Sequence, residues 1–424
     1  MERKRKHSGV TDSKASAGNN QKGQKLTCPA SELMQIGIEE INSKANELNE
    51  ISQQIWEKPE LGFEEKHAHS VLTTYLKNQG FEVQKHTPLE TSFIAKFGDV
   101  DGLKVGVMCE YDALPGIGHG CGHNLIAEAG VAVAIGLKKV IETYSSLKAQ
   151  IVVFGTPDEE GQGGKVFMAE EGCFGKIDIC MMTHPGSADM PEFEVLAVSQ
   201  LSMTYHGKEA HASMCPWVGK NALDAAIQCY NNISMLRQQM QPGCSVHGII
   251  VDGGAKPNII PKRSELHYYI RGQTCKTRDE LNEKVLACAE AAAASTGCLL
   301  ELKPIGKPYS DMKQAKSFVQ TYKKQAESLG VYFPDYKTLP CDGKDLSTGS
   351  TDMGNVSYIA PSIHPIYSIG DPCNHTVEFT RVAGLPEAQK PTLDSAKALM
   401  MTAVEILTNE ELLRTIKEEF QDSY

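Results

Sequence analysis

The chain is 424 residues long, 41% hydrophobic and 22% charged. That balance belongs to soluble globular proteins, and the length exceeds one ordinary core, so two domains are expected. A formal net charge of −11 argues against nucleic acid as a partner and mildly favours a small cationic substrate. No apolar run approaches the roughly 18 residues of a membrane span. The 13 cysteines are irregularly spaced with no apolar leader before them, which predicts buried, reduced thiols in a cytoplasmic protein.

In chain order, residues 1–30 are polar and basic and are expected to form a disordered tail. Its "RKRKH" has the composition of a nuclear-import signal. Met34, Ile38, Ile41, Ala45, Leu48 and Ile55 then fall on one helical face, predicting a single long amphipathic helix that Pro59 ends. A second helix runs through Val71, Leu72, Tyr75 and Leu76 to Gly80. The apolar runs "FIAKF", "KVGVMC", "QIVVFG" and "DICMM" follow, the last three alternating with helical segments such as "NLIAEAGVAVAIGLKKVIETY". This alternation predicts an α/β fold, a mostly parallel mixed sheet flanked by helices, with functional residues at strand C-terminal ends. Beyond residue 194 the pattern changes to alternating strands, "LAVSQLSMTYHG", "SVHGIIVDGG" and "SELHYYIRG", with two interleaved helices. The expected organisation is a catalytic domain over 31–194 and 309–424, interrupted by an inserted α+β domain over 195–308. The helix "TLDSAKALMMTAVEILT" is expected to close the chain.

Four short stretches, "CEYDALPGIGHGCGHN", "TPDEEGQGGK", "MMTHPG" and "CNHTVEF", supply Cys121, His123, Glu159, Glu160, His184 and His375. Zinc and similar borderline cations take thiolate, imidazole and carboxylate together, so this set suits a divalent metal. The alternate spacing of Cys121 and His123 lets both point one way, and the glycines beside them let the backbone close around an ion. Of two adjacent glutamates, one can bind metal while the other takes a proton from water. Singly, each stretch has a plainer reading: a glycine-rich turn, a solvated acidic surface, an exposed histidine, or a nucleophile–base pair of Cys121 with His123. Three of the four follow strand-like runs, and that shared position favours the metal.

The stretches "WEKPELGFEEKHA", "DALPG", "HGCGHN", "PDEEGQGGK", "GKEAHAS", "NIIP" and "GNVSY…HTVEF" together resemble the zinc aminoacylase/carboxypeptidase/dipeptidase family of metallopeptidases, in its amidohydrolase branch. The resemblance runs in order over about residues 33 to 410. It implies two divalent ions per subunit, zinc first with manganese or cobalt as alternatives, held by Cys121, His123, Glu160, His184 and His375. Glu159 is implied as general base and Asp112 as the acid that orients a ligand. The insert is implied as a lid and homodimerisation domain. There His211 resembles a histidine that reaches the partner subunit's active site and polarises the scissile carbonyl. Asn258 and Arg271 resemble groups that hold the substrate's carbonyl and carboxylate. The subgroup it resembles most hydrolyses short dipeptides with lysine, ornithine or arginine on the C-terminal side, such as β-alanyl-lysine; N-acyl amino acids are the alternative substrates. Two positions depart from the family pattern. Glu110 stands where the peptidase branch has a histidine, and Asn124 stands where the amidohydrolase branch has an aspartate, with a helix cap as its expected role. His119 is not expected to ligate, and Asp352 and His364 are expected near the pocket without a defined role.

Overall fold

The computed structural model describes residues 29–334 and 348–423; most of the basic tail, with its "RKRKH", lies outside them. The first helical region is two helices, α1 (Ala30–Ser43) and α2 (Ala45–Glu57), where the periodicity predicts one. The break is at Lys44 (φ −98°, ψ 4°), which leaves the helical region for one residue and lets both segments bury their apolar faces against the same neighbour. α3 (Lys66–Asn78) follows and ends before Gly80, whose φ of 87° only glycine adopts freely.

The strands β1 (Glu82–Lys85), β2 (Phe93–Gly98), β3 (Leu103–Glu110), β4 (Ala149–Thr156) and β5 (Ile179–Met181) join the short strand Ser362–Ile363 in one sheet. Their order is β1-β2-β4-β3-β5 and then Ser362–Ile363. β4, β3, β5 and Ser362–Ile363 run parallel, while β1 and β2 are antiparallel additions at one edge. Every residue of β4 is buried, because crossover helices cover both faces of a parallel sheet. The central crossover is α4 (His123–Thr143), which packs on β3, α1 and α2. Gly130 is the contact point: a Cβ there would lie 2.5 Å from Cys109 Sγ and 2.7 Å from the Met108 carbonyl oxygen.

After α5 (Gly164–Glu170) and β5 the chain leaves this layer. A second sheet, antiparallel throughout, is ordered Ser245–Asp252, Arg263–Gly272, Ala197–His206, Leu299–Pro304. One face packs on α6 (Ala222–Leu236) and α7 (Cys275–Thr296), giving a separate core around Met203, Tyr205, Leu266 and Tyr268. The strand Arg263–Gly272 alternates buried and less buried residues along its length, as its sequence predicts. The chain returns to the first layer with α8 (Lys316–Ser328), α9 (Met353–Ser357), α10 (Val377–Ala383) and α11 (Pro386–Thr408). It does not close on α11: α12 (Glu410–Asp422) follows, capped by the Asn409 side chain, which accepts from the Leu412 N–H at 3.1 Å.

Glu128 sits inside α4, fully buried, and burial pushes its carboxyl up to about 8. The raised value means that the fold favours the neutral acid. Its contribution to stability is therefore complete below the ordinary carboxylate value and is lost as pH rises through about 8. Glu128→Gln, which cannot ionise, is expected to lose less stability than the native chain between about pH 5 and pH 9. Urea unfolding followed across that range measures the difference; parallel pH profiles for the two proteins would refute it.

Candidate metal centre

Four loops at the C-terminal ends of the parallel strands carry the site. The first leaves β3 at Glu110, passes Asp112 and re-enters the fold as the first turn of α4, where His123 is the first helical residue. Gly122, immediately before it, has φ 76°, and a Cβ there would lie 2.5 Å from Pro185 Cγ. The "CGH" spacing therefore reflects a left-handed turn pressed against the loop that carries His184. Asn124 does not cap this helix. It lies inside the first turn, and its amide donates to Ser52 Oγ and to the Ala383 carbonyl.

The second loop leaves β4 at Thr156 and holds Asp158 in the left-handed region at φ 56°, a strained conformation for a non-glycine residue. Its N–H donates to the buried Glu65 carboxylate at 2.9 Å, and its own carboxylate accepts from the Gln162 N–H at 2.8 Å. Glu159 and Glu160 follow. The third loop sets His184 in a short strand, His184–Gly186, parallel to Ile366–Ser368. The fourth places His375 at φ 65°, its N–H donating to the Gly120 carbonyl at 2.7 Å.

Asp112 joins the first two loops. One carboxylate oxygen accepts from His123 Nδ1 and the other from the Glu160 backbone N–H, both at 3.0 Å. Burial pushes Asp112 up, but the His123 imidazole outweighs it and holds the carboxyl down to about 2. With Nδ1 so occupied, His123 presents Nε2 to the centre of the site. His184 makes the same choice, its Nδ1 donating to the Pro185 carbonyl at 2.7 Å while Nε2 lies 3.4 Å from Cys121 Sγ. Burial pulls His184 down to about 4, which keeps it neutral with a lone pair to offer.

The ligand atoms of Cys121, His123 and His184 lie within 4.8 Å of one another, and so do those of Cys121, Glu160 and His375. Cys121 belongs to both groups. His375 Nε2 is 3.1 Å from a Glu160 oxygen, and the Asn374 amide lies behind Cys121 at 3.9 Å. His123 Nε2 is buried without a hydrogen-bond partner, and the buried Glu160 Oε1 has the half-exposed His375 as its side-chain neighbour. A buried imidazole nitrogen is seldom left so, and one thiol, imidazoles and a carboxylate converging around it fit a divalent cation. Glu159 is a third carboxylate in this space, its oxygen within 4.8 Å of the His123 and Glu160 ligand atoms. Burial and the Glu110 and Glu160 carboxylates raise its proton affinity well above the ordinary range; a nearby cation opposes that push. The Glu159 carbonyl accepts from Tyr309 OH at 2.6 Å.

The donors open on a cavity of about 1080 Å³ between the two sheets, whose far wall includes Ser245, His247, Tyr269 and Arg271. Arg271 Nη1 donates to Ser350 Oγ at 2.6 Å, and its guanidinium lies 5.9 Å from the Tyr269 ring. Among the described residues, Glu159 and Glu160 are the only carboxylates on the cavity wall. His211 and Asn258 are not part of this wall. They are exposed and neighbour each other at a separate two-stranded ribbon, where His211 pairs with Ile259 and the Ala212 N–H donates to the Asn258 carbonyl at 3.0 Å. His119 is buried away from the centre, with Nε2 3.1 Å from the Ile55 carbonyl. His364, whose ring lies 5.6 Å from that of His184, lines the cavity with both nitrogens unpartnered. Sequence reasoning missed Lys165, which stands in the "EEGQGGK" run and is fully buried against Glu110 and Asp352. A lysine closing the glycine-rich run that follows two glutamates was the available signal.

Residues 198–297, most of the second sheet and its helices, match the peptidase dimerisation domain M20_dimer. The chain belongs to the M20 peptidase family. It is 42% identical to the Xaa-Arg dipeptidase of Homo sapiens over 407 residues, covering 92% of each protein. It is 28% identical to one p-aminobenzoyl-glutamate hydrolase chain from Escherichia coli, over 90% of this chain and 93% of that one. Among solved structures, the Bacillus subtilis YXEP protein, a dinuclear metal-binding peptidase of the M20 family, shares the fold with a TM-score of 0.64. Its identity is 19%, over 86% of this chain and 99% of that chain.

Burial and the neighbouring Glu160 carboxylate hold the Cys121 thiol well above its ordinary range, so binding a cation through sulfur must release that proton. Cys121→Ala is expected to weaken divalent-metal binding by about tenfold or more and to reduce the protons released. Calorimetric titration in buffers of differing ionisation enthalpy reads both quantities; unchanged affinity and proton release would remove Cys121 from the donor set.

Proposed function

We propose that this protein is a metal-dependent dipeptidase that hydrolyses the amide bond of short dipeptides with lysine, ornithine or arginine on the C-terminal side. The observation that carries the reading is Glu159, a buried carboxylate of raised proton affinity beside two donor groups that share Cys121. Divalent ions held there, two per subunit with zinc as the first choice, supply Lewis acidity that polarises a carbonyl and lowers the pKa of water toward about 7. Cys121, His123 and His184 would hold one, and Cys121, Glu160 and His375 would hold the other. Asp112 orients His123 and the Glu160 loop. Glu159 accepts a proton from water as the oxygen adds to the scissile carbonyl, and donates it to the leaving amine nitrogen as the C–N bond breaks.

Arg271 is placed to hold the substrate's terminal carboxylate: its planar fork suits two oxygens, and no carboxylate among the described residues pairs with it. His211 and Asn258 belong to the same reading as groups supplied by a second copy, which accounts for their place outside their own cavity. The insert, proposed to span 195–308, is suited to homodimerisation. Its strand Ser245–Asp252 is a sheet edge with Ile249, Ile250 and Val251 exposed, the kind of edge that invites a pairing partner. A cytoplasmic site of action fits the eleven cysteines that are free among the described residues.

A second reading, hydrolysis of N-acyl amino acids, is favoured by one observation: the cavity wall offers no carboxylate beyond Glu159 and Glu160 to meet a basic side chain. Turnover of metal-loaded protein is measured on β-alanyl and α-dipeptides ending in Lys, Arg, His or Leu, beside N-acetyl amino acids. The expected result is a kcat/KM for Lys and Arg dipeptides about tenfold or more above the rest, abolished by chelation and restored by metal. Preference for N-acetyl amino acids would establish the second reading instead.

A further inference from the structure

Behind the donor groups lies a second concentration of charge. Lys165, the second residue of α5, is fully buried. Its ammonium donates to Asp352 Oδ1 at 2.7 Å and stands 2.5 Å from Glu110 Oε1, and its backbone N–H donates to Asp352 Oδ2 at 2.9 Å. Glu110 and Asp352 are equally buried, and oxygens of Glu110, Glu159 and Asp352 lie within 4.8 Å of one another. The other Glu110 oxygen is 3.5 Å from His123 Nε2. One ammonium thus ties the end of β3, the start of α5 and the turn before α9, and it does so at the wall against which Glu159 stands.

Three carboxylates so close in a low-dielectric interior repel one another, and each can relieve the repulsion by swinging away. Burying an ammonium costs more desolvation than an apolar side chain of the same length, so a stable fold alone does not require lysine here. What lysine brings is directed donors, and two of its contacts go to Glu110 and Asp352. We propose that Lys165 is a positioning residue of the hydrolytic site: by holding Glu110 and Asp352 it keeps Glu159 and the Nε2 face of His123 in their working places. The proposal rests on the reading of Glu159 as the general base. Lys165 touches neither substrate nor the reacting atoms, and acts through the carboxylates it fixes.

The test uses the full chain with Lys165→Met, Lys165→Arg and the charge-balanced pair Lys165→Met/Asp352→Asn. For Lys165→Met, kcat is expected to fall about 100-fold, the effect of misplacing a reacting group by an ångström or so. KM and bound metal per subunit are expected to stay close to native. The visible spectrum of the cobalt-loaded protein is expected to change as Glu110 relaxes toward His123. Lys165→Arg is expected to recover part of the lost kcat, and the balanced pair to recover thermal stability without recovering kcat. Native kcat and an unaltered cobalt spectrum in Lys165→Met would overturn the proposal. Full kcat in the balanced pair would also overturn it, by reducing Lys165 to charge neutralisation, and that variant decides the matter should Lys165→Met fail to fold. Failure of the underlying reading is separately visible: Glu159→Gln would then keep its turnover, while the cobalt spectrum still reports on Lys165.

Discussion

The carboxylate of Asp112 accepts from His123 with one oxygen and from the Glu160 backbone with the other, in a place sealed from solvent. These two contacts connect the loop after β3 to the loop after β4, adjacent parallel strands whose ends the fold already places side by side. A carboxylate with both oxygens engaged has no freedom left to turn, so it fixes the tautomer of His123 and the path of the Glu160 backbone together. The other two loops then close on this pair, through the His375 N–H on Gly120 and the Cys121–His184 contact. Without the Asp112 bridge the same side chains would remain in the same region, with no common centre for their ligand atoms.

Such a centre is costly to build. Glu110, Asp112, His123, Glu159, Lys165 and Asp352 are all buried at one end of one sheet, and each isolated charge there costs several kcal/mol of desolvation. The protein offsets the cost by pairing: Asp112 with His123, and Lys165 with Glu110 and Asp352. His123 Nε2, left without a hydrogen-bond partner, faces the shared donor Cys121.

The two sheets divide the labour. The first sheet supplies the chemistry, because the C-terminal ends of its parallel strands β4, β3, β5 and Ser362–Ile363 meet at one edge. The antiparallel sheet supplies the opposite wall of the cavity with Arg271 and Tyr269, and its edge strand Ser245–Asp252, which meets the cavity at Ser245 and His247, exposes Ile249, Ile250 and Val251. His211 and Asn258 lie on a separate two-stranded ribbon and a neighbouring loop, away from their own cavity.

Much of this was legible from residue order. The apolar runs of β3, β4 and β5 read as buried strands because a parallel sheet covered on both faces tolerates little else. The donors were legible because thiol, imidazole and paired carboxylate at strand ends have few other uses in combination. The break at Lys44 was not legible, since the apolar face continues through it and only packing against α4 decides where the axis turns. Asn124 looked like a cap by residue type, but the turn at Gly122 starts the helix one residue earlier and sends that amide to Ser52 and Ala383. Lys165 and Asp352 are 187 residues apart, and no local pattern relates them. Sequence by itself determined which residues have the chemistry and which strand ends carry them, because residue type and periodicity are local properties. Only the tertiary structure decided that Cys121 serves two donor groups and that Lys165 lies under Glu159, because convergence of distant side chains is set by the path of the chain between them.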